Sequence, residues 1–91
     1  MAVTIRIPTQ LRALAGGASE VSVDAATVND ALKALDAQHA GFNERLFDDK
    51  GELRRFVNVF VADEDIRFMQ GVDTALADGT VVSIIPAVAG G

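Results

Sequence analysis

The chain has 91 residues, a hydrophobic fraction of 49% and a slightly positive mean hydropathy of +0.26, enough for one small domain with a packed core. It contains no cysteine, which excludes a disulfide framework, a thiolate nucleophile and a cysteine-type metal site. A net charge of −5 and a pI near 4.5 argue against nucleic acid and anionic membrane surfaces as partners, and suit a partner with a basic docking surface.

The opening Met1-Ala2-Val3-Thr4-Ile5-Arg6 enters a strand pattern at once and lacks the basic start and long apolar core of a signal peptide. No apolar run approaches the roughly 20 residues needed to span a bilayer, so the expected location is the cytoplasm. Val3, Ile5 and Ile7 alternate with Ala2, Thr4 and Arg6, which predicts a half-buried strand ended by Pro8. Thr9 to Ser19 is a connection carrying Leu11, Leu14 and the Gly16-Gly17 turn signal, and Val21 and Val23 then define a second short strand forming a hairpin with the first.

Thr27 has the chemistry of a helix N-cap, with Asn29 and Asp30 in the first turn. Val28, Ala31, Leu32 and Leu35 recur at helical spacing as one apolar stripe, and Gly41 is the expected stop. Phe42 to Phe47 suits one or two further turns, and Asp48 to Gly51 a turn. Phe56 to Val61 is a strand with Val57, Val59 and Val61 on one face and Phe56, Asn58 and Phe60 on the other. A polar turn at Asp63-Glu64-Asp65 precedes a short strand at Ile66-Arg67-Phe68. Gly71 to Ala77 is irregular or a single turn, and Asp78-Gly79 introduces a last strand that Pro86 stops. One helix and these strands imply an α+β fold, a mixed sheet of about four to five strands with the helix on one face. Residues 1–91 are expected to form a single domain, with 87–91 a flexible functional tail.

No constellation in the sequence suggests an active site. His39 lies at the end of the helical stripe without a partnering nucleophile or carboxylate, and its expected role is to meet the last helix carbonyls. Asp48-Asp49 and Asp63-Glu64-Asp65 lack the ligand spacing of a calcium loop and suit solvated turns, and Gly16-Gly17 lacks the Lys and Ser/Thr of a phosphate loop. The chain is therefore not expected to be an enzyme, to bind a metal or to hold a cofactor. Two features ask for more. If the valine faces meet the helix, Phe56, Phe60, Val81 and Ile85 point to the uncovered side of the sheet, a candidate docking patch unless the Thr9–Ser19 connection covers it. The tail Ala87-Val88-Ala89-Gly90-Gly91 has a reach of roughly 15 to 18 Å when extended. Its two glycines make it slim and leave the carboxyl carbon of Gly91 unhindered.

Arg55 to Val61, Glu64 to Phe68, and Thr74 to Gly79 running on to the Pro86-Ala87-Val88-Ala89-Gly90-Gly91 ending together resemble the ubiquitin-like β-grasp sulfur carriers, the MoaD/ThiS family. The Pro-x-Val-x-Gly-Gly ending is the specific part, and the Arg-Phe-Val-Asn strand is most similar to the actinobacterial cysteine-biosynthesis branch. The resemblance implies a β-grasp fold. It implies that an E1-like adenylyltransferase binds the carrier, threads its tail (Val88, Ala89, Gly90) and uses ATP to adenylate the Gly91 carboxylate, which sulfur transfer turns into a thiocarboxylate. In the cysteine branch a cysteine synthase passes that sulfur to O-phosphoserine and a metalloprotease releases the new cysteine. The alternatives are the small subunit of molybdopterin synthase, working with the large subunit, and a ubiquitin-like modifier or interaction module. Ala62-Asp63 departs from the asparagine-containing turn expected in the family, and the Phe42–Arg55 segment is longer than in its shortest members.

Overall fold

The alternation of β-branched residues dictates the sheet, and pairing between distant segments orders it. The computed structural model describes residues 2–54 and 57–86. β1 (Ala2–Arg6) pairs antiparallel with β2 (Glu20–Asp24), and β1 pairs parallel with β5 (Val81–Pro86). β5 in turn pairs antiparallel with β3 (Val57–Val61), which holds the two-residue β4 (Glu64–Asp65), giving the order β2-β1-β5-β3-β4. On one face Val3, Ile5, Val21, Val23, Val57, Val59, Val61, Val82 and Ile84 are buried. α1 (Val28–Gln38) contributes Val28, Ala31, Leu32 and Leu35 to the same core cluster. The Thr27 hydroxyl accepts the Asp30 amide at 3.2 Å, as expected of an N-cap.

Three local expectations are corrected. α1 ends at Gln38 with His39 as its cap, the His39 amide reaching the Leu35 carbonyl at 2.9 Å, so Gly41 is not its stop. Gly41, at φ 111°, instead opens α2 (Phe42–Leu46), and a Cβ there would meet the Leu14 side chain at 3.2 Å. Asp36 Oδ1 accepts the amides of Gly41 (3.2 Å) and Asn43 (2.9 Å), which ties the two helices together. The Thr9–Ser19 connection holds a 3-10 segment, Thr9–Ala15. Its Ala15 is buried in the core and Leu11 and Leu14 pack against it, so the segment closes the helix side of the core. Finally, Ile66–Phe68 is a 3-10 turn, because the Asp65 carboxylate caps it by accepting the Arg67 amide at 2.8 Å.

The β3–β4 connection has Ala62 at φ 51° and Asp63 at φ 71°, with Val61 opposite Glu64. Two positive φ angles in a two-residue hairpin match a type I′ turn, which favours Asn-Gly and strains alanine. The double substitution Ala62→Asn/Asp63→Gly is therefore expected to stabilise the fold by about 1 kcal/mol, read as a higher denaturation midpoint in urea. An unchanged or lower midpoint would contradict the strain.

Candidate functional site

Because β3 buries Val57, Val59 and Val61 and β5 buries Val82 and Ile84, Asn58 and Phe60 on β3 and Val81, Ser83 and Ile85 on β5 face away from α1. The ladder registers align Glu20, Arg6, Ser83, Phe60 and Asp65 in one row across all five strands. Ile85 pairs with Asn58, so it is a diagonal neighbour of Phe60, within reach of large side chains. Val81 pairs with Thr4 on the other side. Val81 is 39% and Ile85 49% exposed, while Phe60 is half-buried. The 3-10 segment reaches toward α2 through Leu14 and Gly41, while its Thr9, Gln10 and Arg12 border the Ser83–Ile85 end of this face and leave Val81 and Ile85 exposed.

Two depressions border the patch. A cleft of about 690 Å³ at the ends of β1 and β5 is lined by Arg6, Pro8, Arg12, Glu20, Ser83 and Ile85 among others. Arg12 is held there by its Nε, which donates to the Ile7 carbonyl at 3.0 Å. A shallower one of about 400 Å³ includes Arg6, Ala62, Asp63, Thr80, Val81 and Ser83. The outer face thus combines apolar side chains with guanidinium groups, at the strand from which residues 87–91 follow. Pro86, opposite Val57, brings no amide donor to the last pair of that ladder.

Of the residues singled out in the sequence, Phe60 and Ile85 come together on this face. Phe56, Val88, Ala89, Gly90 and Gly91 lie outside the described residues. Arg6 and Arg12 escaped the sequence reading because only the parallel β1–β5 pairing brings them beside Ile85. His39 is half-buried at the end of α1, remote in the fold order from this face. Asp48 sits in a turn, where its Oδ1 accepts the Glu52 (3.0 Å) and Lys50 (2.9 Å) amides. Those bonds, the one from Glu52 first, hold its carboxyl below the usual carboxylate range. Among the described residues no group of three or more His, Cys, Asp or Glu is placed to hold a metal, and no helix is long and apolar enough to cross a membrane.

A mixed five-stranded sheet with its helix on one face is the ubiquitin-like β-grasp fold. Residues 5–91 match the ThiS family, and the chain belongs to that family. It is 50% identical over 93 residues to the sulfur carrier protein CysO of Mycobacterium tuberculosis, covering 100% of both chains. It is 44% identical over 68 residues to small archaeal modifier protein 3 of Haloferax volcanii, covering 75% of this chain and 73% of that one. Among solved structures it superposes on a chain of the Amycolatopsis orientalis BexX/CysO complex with a TM-score of 0.91 and 44% identity, covering 98% of this chain and 99% of that one.

Proposed function

We propose that this protein is a sulfur carrier of cysteine biosynthesis, acting as a co-substrate and not as a catalyst. The observation that carries this reading is the 50% identity to a sulfur carrier along the whole of both chains. The reacting group is the carboxylate of Gly91. Its oxygen attacks the α-phosphorus of ATP on an E1-like adenylyltransferase and pyrophosphate leaves. A sulfur nucleophile then displaces AMP from the acyl carbon, leaving a thiocarboxylate. With no cysteine in the chain, a terminal thiocarboxylate is the way for it to hold reactive sulfur covalently. Val88, Ala89 and Gly90 form the slim approach to the enzyme's active site. The thiocarboxylate sulfur then replaces the phosphate of O-phosphoserine on a cysteine synthase, and the resulting thioester shifts its acyl group to the cysteine amine as an amide. A metalloprotease hydrolyses that amide to release cysteine and restore the Gly91 carboxylate, and these steps take place in the cytoplasm. The carrier itself holds no cofactor, the ATP being bound by the enzyme.

The outer face docks the partner through Phe60 and Ile85, and Phe56 is a further partner-binding residue. Phe60→Asp is expected to raise the Kd for the activating enzyme tenfold or more, with little change in Tm. Unchanged binding would remove Phe60 from the interface, and unfolding would make it a core residue. The match to a small archaeal modifier protein supports a second reading, in which the tail joins lysines. Isopeptide conjugates on heavier proteins in lysates would favour it.

A further inference from the structure

The 3-10 turn after β4 displays an aromatic ring that the fold does not use. Ile66 is 2% exposed, yet Phe68 is 85% and Met69 39% exposed. The turn is firmly held. Asp65 Oδ1 accepts the Arg67 amide at 2.8 Å, the Met69 amide donates to the Ile66 carbonyl at 3.0 Å, and Ile66 anchors the turn in the core. A polar residue at position 68 would leave every one of these contacts intact. A preordered aromatic of this kind loses little conformational freedom on binding, which is the property of an interface anchor.

The surroundings specify the partner. Asp63 and Glu64 are exposed on the preceding turn, Asp65 is half-buried, and Asp73 is exposed on the 3-10 turn Gly71–Asp73 that packs beside this one. The Arg67 guanidinium reaches the Val57 carbonyl at 3.4 Å, at the opposite end of β3 from Asp63. We infer that this corner (Glu64, Phe68, Met69, with Asp73 beside it) is a second docking surface, adjoining the Phe60–Ile85 face at Asp63 and Asp65, for a protein partner with an apolar socket bordered by lysine or arginine. A second copy of the chain is a poor occupant, since each copy has a net charge of −5 and would bring the same carboxylates to the contact. The inference rests on the carrier reading, which supplies the enzymes that must recognise the protein.

The test is calorimetric titration of the wild type, Phe68→Ala and Glu64→Lys/Asp73→Lys against the purified activating enzyme and the purified cysteine synthase, at low and high salt. With at least one enzyme, Phe68→Ala should raise Kd tenfold or more with Tm unchanged. The charge reversal should weaken the same complex and flatten its salt dependence. Wild-type affinity of both variants for both enzymes would overturn the inference. So would a concentration-dependent dimer of the wild type that Phe68→Ala abolishes, because the occupant would then be a second copy. If the wild type bound neither enzyme, the carrier reading itself would fail and this inference with it, a result distinct from variants that bind normally.

Discussion

Deleting Gly91, or adding one residue after it, is expected to abolish formation of the thiocarboxylate while leaving thermal unfolding unchanged. Adenylation needs the carboxylate at a fixed distance from the docked body, and an enzyme gains its rate by holding reacting atoms within a fraction of an ångström. Deletion draws the carboxylate back by roughly 3.3 to 3.6 Å, and extension pushes it forward by the same amount. Extension by alanine also puts a Cβ beside the acyl carbon that glycine leaves open. Among the described residues the buried core draws on residues 3–84. The check pairs an activation assay with a melting curve. Retained activation would show that another group carries the sulfur, and loss of the melting transition would show a structural role for Gly91.

The largest effect on stability is expected at Phe42. Its side chain is 0% exposed and is the largest of the fully buried ones among the described residues, at the start of α2 and in one cluster with Leu35 and Leu46. Phe42→Ala removes its contacts and leaves a cavity that two short helices tied through Asp36 can only partly close. The expected loss is about 3 to 5 kcal/mol. Against a typical total of about 5 to 15 kcal/mol, that is a large share of the stability of a domain of this size. Denaturant titration of both proteins measures it. A loss below about 1 kcal/mol would mean that the α2 end of the core collapses onto the gap.

Phe42 also marks how far the sequence could be read. The α1 stripe was legible because Val28, Ala31, Leu32 and Leu35 repeat at the helical period and all four are buried. The strand faces were legible because valines and isoleucines alternate with polar residues in β1, β2 and β3. Short elements carried too little periodicity. Phe42 and Leu46 form a single i, i+4 pair, and the 3-10 segment Thr9–Ala15 buries only Ala15. Ile66-Arg67-Phe68 has strand-like composition, and its turn is set by the Arg67 amide on Asp65 and the Met69 amide on the Ile66 carbonyl. The site was half legible. Alternation put Phe60 and Ile85 on the outer side of their strands, but their adjacency, and the presence of Arg6 beside Ser83, depend on pairings between residues far apart in the chain. No local pattern encodes such pairings.

The central claim is that sulfur is carried on the Gly91 carboxylate. Its most direct test is the intact mass of the wild-type protein after incubation with its activating enzyme, ATP and a sulfur donor, with fragmentation to locate the change. The account predicts replacement of one oxygen by sulfur, confined to the C-terminal fragment and dependent on ATP. An unchanged mass, or sulfur located anywhere else in the chain, would contradict it.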